Sequence, residues 1–327
     1  MLLYLSEKDI KKALDEQVAF ALAKKVFQLI AEKRTAMPPK LYLNLPGTPN
    51  DFRAMPAFIG KSGGEVCGVK WVSVFPENHR QKLPTVYATI LLNSSKTGAP
   101  LAVLEGNHIT AIRTAATAAV ATNYMANPKP RKLAIVGAGV QAEYQLRAMA
   151  HRFQFEEINV WGFLVGEVEM FCKRLRMECP NLKPKKDIRG CVEGADVVVT
   201  CTPSRKPIVQ KNWIKKGAHI NAIGADAKGK EELDPKLLKG AKVVVDEWEQ
   251  ASHSGEINVP ISKGLFLKND LYAQLSEIVS GQKKGRAGKD DITVFDSTGL
   301  AILDIYFAKY AYDFYLRKGK KTKLFRG

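Results

Sequence analysis

Leu133-Ala-Ile-Val-Gly137-Ala-Gly139-Val-Gln-Ala142 is the stretch on which the fold of this chain turns. Four apolar residues of strand character run straight into G-x-G-x-x-A, and Gln141 to His151 then carries helical spacing. That order is what dinucleotide binding requires. Gly137 makes the tight turn, Gly139 lets backbone approach a pyrophosphate, Ala142 allows the helix to pack closely, and the helix start offers N–H donors to phosphate. One part of the fingerprint is missing. An acid ~20 residues on would bind the ribose hydroxyls, but the second strand, Glu157 to Trp161, ends in Gly162-Phe163 with neither acid nor arginine. Glu167 is the nearest following carboxylate and falls in the next helical run, so NAD and NADP both stay open as cofactors.

Outward from this turn the pattern keeps alternating. Val165 to Met177 reads as a helix, while Ala195 to Thr200, His219 to Ile223 and Lys242 to Asp246 are near-continuous apolar runs of strand length. Such strands separated by helices indicate a parallel sheet covered on both faces. The fold class is therefore α/β, with a Rossmann-type doubly wound parallel sheet plus a discontinuous α+β domain. Upstream, Ile10 to Ile30 has the spacing of one amphipathic helix. Lys40 to Leu45, Val66 to Val74 and Thr85 to Asn93 read as strands of an antiparallel sheet. Asn107 to Ala126 reads as a long buried helix, and a last helix, Leu300 to Leu316, is expected to return to the N-terminal half. The expected division is 1–113 with 299–327 as a substrate-binding and dimerisation domain, and 114–298 as the dinucleotide-binding domain.

Composition narrows the class further. At 327 residues, 46% hydrophobic and 25% charged, the chain has globular proportions and room for two medium domains. No run approaches the ~18 apolar residues of a membrane span. Five cysteines (Cys67, Cys172, Cys179, Cys191, Cys201), odd in number and without C-x-x-C, suggest free thiols in the cytoplasm. The start, Met-Leu-Leu-Tyr-Leu, lacks a basic region and reads as a short strand before a capping-box helix start at Ser6 to Asp9, not as a signal peptide. The five histidines show no metal-ligand spacing, so no metal is expected. Neither a nucleophile elbow nor a P-loop is present, which weakens hydrolase and triphosphatase readings. The net charge of +17 first suggests a polyanion partner. Yet Lys283 to Lys289 and Arg317 to Arg326 hold four and six basic residues with no acid, and with one aromatic, Phe325, they lack the repeated aromatic interleaving or recognition motif of a nucleic-acid module. They read as solvated surface, so neither nucleic acid nor membrane is expected as a partner.

Several polar residues sit in apolar surroundings. Lys70, within Val66-Cys-Gly-Val-Lys-Trp-Val72, is either a snorkelling edge residue or a desolvated amine used on a substrate anion. Arg53 and Arg113 pose the same question; Arg113 lies in an Ala-rich helix and is either on a solvated face or meets a carboxylate or phosphate. Asp226 follows the His219 strand and Gly224, in a loop where open α/β sheets bind ligands, although a lone Asp in a Gly-rich loop is more often a turn former.

Separated blocks then make a resemblance plain. They are Met37-Pro-Pro-Lys40, Asp51-Phe-Arg-Ala-Met-Pro-Ala57, Gly68-Val-Lys-Trp-Val72, Leu83-Pro-Thr-Val86, Ile112-Arg-Thr-Ala115, Gly137 to Ala142, Thr202-Pro-Ser-Arg-Lys-Pro207, His219 to Asp226, Gly255-Glu-Ile-Asn258 and Val294 to Ala301. In this order they resemble the ornithine cyclodeaminase and mu-crystallin family, most closely its archaeal alanine dehydrogenase branch. The resemblance implies Lys70 as a carboxylate-contacting lysine in proton transfer, Arg53 and Arg113 as carboxylate ligands, Asp226 as acid/base, and Thr298 at the border of the substrate. For the cofactor it implies Thr85, Arg113, Gly137, Gly139, Val140, Gln141, Thr202, Ile220, Asn221, Ala222, Ile223, Lys230 and Ser297. It also implies a homodimer paired through the N-terminal sheets. Gly162 stands where NAD-using relatives carry aspartate, and Lys40 where cyclodeaminases carry a substrate-binding arginine. The implied activity is an NAD(P)-dependent amino-acid dehydrogenase interconverting L-alanine and pyruvate. The alternatives are a cyclic imine reductase such as pyrroline-2-carboxylate reductase, an ornithine cyclodeaminase, and a non-catalytic NADP-binding protein like mu-crystallin.

Overall fold

The computed structural model describes residues 2–60 and 65–319. The chain divides into two compact units, Met1–Arg113 with Leu300–Gly327, and Thr114–Gly299.

Unit 1 opens with β1 (Leu3–Leu5), α1 (Glu7–Ala13) and α2 (Glu16–Ala31), followed by β2 (Thr35–Ala36), β3 (Leu41–Asn44), β4 (Asp51–Ile59), β5 (Val66–Val74), β6 (Val86–Asn93), β7 (Pro100–Glu105) and the start of α3 (Asn107–Met125). The strands form a seven-stranded sheet in the order β1-β7-β6-β5-β4-β2, with β3 also on β4. All neighbours run antiparallel except β1, which is parallel to β7. The period-two pleat sends Arg53, Met55, Ala57 and Ile59 of β4 and Val66, Lys70 and Val72 of β5 to one buried face. The closing helix Ala301–Arg317 packs across β4, β5 and β6 and against α1 and α2, covering that face. The other face carries apolar side chains into solvent, including Leu41 (69% exposed) and Leu43 (52%).

Unit 2 continues from α3 with β8 (Lys132–Val136), α4 (Val140–Arg152), β9 (Glu157–Trp161), α5 (Val165–Leu175), β10 (Leu182–Pro184), α6 (Ile188–Val192), β11 (Val197–Thr200), β12 (Arg205–Val209), β13 (His219–Ala222), β14 (Glu231–Leu233) and α7 (Pro235–Lys239). It ends with β15 (Lys242–Val245), α8 (Trp248–Ser254), α9 (Asn258–Ser262), β16 (Leu271–Gln274), α10 (Leu275–Val279) and β17 (Thr293–Asp296); Ala301–Arg317 is then α11. Eight strands form one parallel sheet, β10-β9-β8-β11-β13-β17-β15-β16, with β12 and β14 paired separately. The order reverses between β8 and β11, where ligands of such sheets bind at the strands' carboxyl ends. One core beneath the sheet gathers Ala134, Val136, Val198, Ile220, Ala222, Val243, Val245 and Val294. The fold class is thus the α/β one expected from the strand–glycine turn–helix pattern.

Local differences have physical causes. The single helix expected over Ile10 to Ile30 is two, because Leu14 is extended (φ −126°) and Asp15 starts anew by accepting a 2.8 Å bond from the Val18 N–H. β4 and β7 went unrecognised as strands. β4 contains Pro56, which interrupts a ladder. Here β3 pairs only as far as Ala54 and β2 begins only at Phe58, so the second edge of β4 is open at the proline. In the first basic window Arg286 is half-buried and tied to the backbone: its Nε donates to the Met125 carbonyl (2.7 Å) and its Nη1 to that of Asp291 (2.5 Å). Residues 320–326 of the second window lie outside the described residues.

Candidate active site

In unit 1 the strand pleat places Lys70 between Met55 and Ile90, its cross-strand partners, under α11. Burying an ammonium there requires a counter-charge, and α11 supplies it. Lys70 Nζ lies 2.8 Å from Asp304 Oδ2, and Arg113 Nε donates to Asp304 Oδ1 at 3.0 Å. All three side chains are buried, Asp304 completely. Burial pushes the Lys70 amine down to about 7; Asp304 pulls it up, while the Arg113 and Lys40 charges push it further down. Burial works to raise the Asp304 carboxyl, but Arg113 and Lys70 outweigh it and hold it below the usual carboxylate range. An amine balanced near neutrality in a dry site can carry a substrate anion or move a proton.

Arg53, on the same face, is fixed by Asp51, whose carboxylate accepts from Nε at 2.6 Å and from Nη2 at 3.1 Å, and it lies over the Tyr42 ring. Lys70, Arg113 and Arg53 therefore share the buried side of one unit. Thr85 is exposed, in the loop before β6, with its carbonyl accepting from the Phe75 N–H.

In unit 2 the glycine turn follows β8. Gly137 has φ +133°, its N–H donates to Trp161 O at 2.7 Å, and a Cβ there would lie 2.8 Å from Cys201 Sγ and 3.0 Å from its carbonyl. Only glycine allows the loops after β8 and β11 to meet this closely. Gly139 caps the 13-residue α4 in extended conformation with no side-chain cap. The first-turn amides are left to a ligand or water. Gln141 Nε2, beside them, is shielded and without a partner among the described residues, while Val140 is 71% exposed. Uncapped amides and an orphaned side-chain donor fit a pyrophosphate. Past Gly162, Phe163, Leu164 and Val165 are exposed apolar residues, and Glu167 lies in the first turn of α5.

The other positions implied for unit 2 lie along the carboxyl edge of the neighbouring strands β11, β13 and β17. Thr202, after β11, is buried and donates N–H and Oγ1 to Glu232 Oε1, both at 2.7 Å. Asp226, after β13, pairs with Lys230 at 2.5 Å, both partly exposed. After β17, Ser297 donates its N–H to Ala222 O at 3.0 Å. Thr298 donates its N–H (2.7 Å) and Oγ1 (2.9 Å) to Asp246. Within β13 itself, Ile220 and Ala222 point into the core. Asn221 donates to Thr122 Oγ1 and lies 3.2 Å from His219 Nε2, so from this run only Ile223 stands past the strand end.

The buried acids Asp304, Glu232, Glu256, Asp296 and Asp246 were not foreseen. Asp304 carried a usable signal: a lone acid in Ala301-Ile-Leu-Asp-Ile305 asks for a cation as pointedly as Arg113 asks for an anion. Among the described residues no group of three or more potential ligands could hold a metal ion, and no helix is long and apolar enough to cross a membrane.

Comparison with known proteins adds to this geometry. The profile of the ornithine cyclodeaminase/mu-crystallin family matches residues 3–319. Alanine dehydrogenase of Archaeoglobus fulgidus is 40% identical over 99% of both chains. A solved archaeal alanine dehydrogenase dimer with bound NAD superposes with a TM-score of 0.93 at 39% identity, covering 99% of this chain and 98% of that one. The Δ1-pyrroline-2-carboxylate reductase of Thermococcus litoralis, solved with NADH and L-proline, gives 0.94 at 34% identity, covering 99% of this chain and all (100%) of that one.

Proposed function

The chain belongs to the ornithine cyclodeaminase/mu-crystallin family, and from that premise we propose that it is an NAD-dependent oxidoreductase acting on the carbon–nitrogen bond of a small amino acid, with L-alanine and pyruvate as its pair. Lys70 carries this reading: a buried amine poised near pH 7 beside Arg113 suits a carboxylate substrate that must also exchange protons. L-alanine, NAD⁺ and water give pyruvate, ammonium, NADH and a proton.

Arg113 and Arg53 bind and orient the substrate carboxylate, each already braced by an aspartate so that little side-chain freedom is lost on binding. Lys70 takes the proton that the substrate ammonium must release before its Cα–H bond can break. Asp226 accepts a proton from the water that adds to the resulting imine carbon, and returns one to the departing ammonia. The Gly137–Gly139 turn, the first amides of α4, Gln141, Thr202 and Ser297 hold the cofactor. When bound, its nicotinamide supplies the acceptor or donor of hydride.

Reduction of a cyclic imine is the second reading, favoured by the match to the pyrroline-2-carboxylate reductase over the whole chain. It uses the same carboxylate ligands and the same proton on nitrogen. Lys40 stands where a cyclodeaminase carries its substrate-binding arginine, which weighs against ornithine. The exposed apolar sheet face around Leu41, Leu43, Trp71 and Tyr87 supports a homodimer, and five free cysteines support a cytoplasmic setting.

A screen at the absorbance of reduced cofactor tests this, with alanine, pyruvate plus ammonium, ornithine and pyrroline-2-carboxylate, each with NAD and NADP. Turnover of the alanine pair is expected. Reduction of only the cyclic imine selects the second reading, and ornithine consumption without net absorbance change selects the cyclodeaminase. Binding without turnover of any substrate points to a mu-crystallin-like role. Asp226→Asn should keep cofactor binding and lose most turnover; near-normal turnover removes Asp226 from the mechanism.

A further inference from the structure

Thr202, Asp226 and Thr298 stand on three loops at the carboxyl edge of the unit 2 sheet, and the strands alone do not fix where those loops go. Glu232, the middle residue of the short strand β14 and fully buried, ties two of them together. Its Oε1 accepts both the N–H and the hydroxyl of Thr202 at 2.7 Å, and its Oε2 accepts the Gly224 N–H at 2.9 Å, two residues before Asp226. The junction is closely packed. A Cβ on Gly224 would lie 2.2 Å from Thr202 O and 2.5 Å from Glu232 Oε2.

A second buried glutamate holds the first. Glu256 Oε1 accepts the N–H groups of Glu232 (2.9 Å) and Leu233 (2.6 Å), while its Oε2 has no partner among the described residues. Asp296 is buried alongside, with Oδ2 accepting from the Ile257 N–H and Oδ1 without a partner among the described residues. Three buried carboxyls with no cation among their hydrogen-bond partners cannot all be charged. Three donors converge on both Glu232 oxygens, the demand of an ionised carboxylate. Glu256 and Asp296 each leave one oxygen without a donor, as a neutral acid does. Burial and then the Glu232 charge push Glu256 well above the usual carboxylate range, whereas burial raises Glu232 less, because the bonds from Thr202 and Gly224 oppose it.

We propose that Glu232 is a positioning residue for Asp226: its ionised carboxylate clamps the loop after β11 to the loop after β13, and Glu256 supports it as a neutral acid. The assignment rests on Asp226 being the acid/base of the reaction, but half of its test does not. The comparison is Glu232→Gln against Glu256→Gln, alone and in the Asp226→Asn background. An amide at 232 turns one N–H₂ toward a backbone donor, so either Thr202 or Gly224 loses its acceptor. At 256 an amide reproduces a neutral acid. Hydrogen exchange of the amides in 201–204 and 222–228 should speed about tenfold or more in Glu232→Gln and stay unchanged in Glu256→Gln. In turnover, Glu232→Gln should lower kcat about tenfold or more with little effect in Glu256→Gln, and should cost nothing further once Asp226 is Asn. A residue needed only for stability would lower turnover in both backgrounds alike. Unchanged loop exchange in Glu232→Gln, equal effects of the two glutamines, or full additivity with Asp226→Asn would overturn the proposal. Should no substrate be turned over, the exchange measurement alone still decides whether Glu232 is the clamp.

Discussion

The two units solve the burial of charge in opposite ways. Unit 1 encloses two cations on one carboxylate, Lys70 and Arg113 on Asp304. Unit 2 encloses Glu232, Glu256 and Asp296, and burial pushes the carboxyls of Glu256 and Asp296 up toward their protonated forms. Pairing leaves an excess cation in unit 1, which makes Lys70 the group with an easily moved proton. Protonation leaves these three carboxyls with one anion, Glu232, whose donors are all loop atoms. A buried charge cluster is therefore suited to proton transfer where cations outnumber anions, and to fixing loops where a lone anion gathers backbone donors.

The largest break in this contrast comes from Asp304→Asn. It leaves two buried cations facing a neutral amide, and loss of one partner of a buried pair costs about 3–5 kcal/mol. The denaturant midpoint of the variant should fall accordingly, and most at low pH, where Lys70 cannot shed its proton. A loss below about 1 kcal/mol would mean that water or other groups already screen the cluster.

The same contrast was only partly legible in the sequence. The strand–glycine–helix run at Leu133 to Ala142 and the apolar strands after it announced the parallel sheet because period and turn chemistry are local. Lys70, Arg53 and Arg113 stood out because a cation within an apolar run is visible one residue at a time. Asp304 is 234 positions beyond Lys70 by subtraction of their numbers, so their pairing follows only once α11 lies on β5. Glu231-Glu232 and Glu256 look like ordinary surface acids in a chain that is one-quarter charged, and nothing in spacing reveals that β14 is roofed over. Pro56 hid β4 because its harmlessness depends on where β3 stops and β2 begins.

A medium-sized effect separates the clusters by pH. The Asp296 carboxyl is raised from an ordinary 3.8 to about 8, chiefly by burial. Between those values the folded state holds a proton that the unfolded chain has lost, so its contribution is full below 3.8 and is lost as pH rises through about 8. Lys70 is lowered from 10.5 to about 7, so across that interval the unfolded chain holds the extra proton. Its contribution is full above 10.5 and is lost as pH falls through about 7. Each slope has a limit of about 1.4 kcal/mol per pH unit for one proton. Unfolding free energies of Asp296→Asn and Lys70→Met, measured from about pH 5 to about pH 9 and subtracted from those of the parent, should therefore slope in opposite directions. Parallel slopes would show that the two clusters do not differ as described.

The smallest effect belongs to a partly exposed pair outside both clusters. Asp226 and Lys230 are 2.5 Å apart, four residues apart in sequence, with 35% and 19% of their side chains exposed. Water competes for both charges, and pairs of this kind contribute about 0–1 kcal/mol. Lys230→Met should thus leave the denaturant midpoint nearly unchanged. If Asp226 works as an acid/base, the carboxylate must be able to leave its lysine and take a proton, which a tight buried pair such as Lys70 and Asp304 would forbid. Removing the Lys230 charge should instead change turnover, because the carboxylate proposed to trade protons loses the cation beside it. A stability loss comparable to that of Asp304→Asn would place Asp226 among the structural acids and leave the proton chemistry to Lys70.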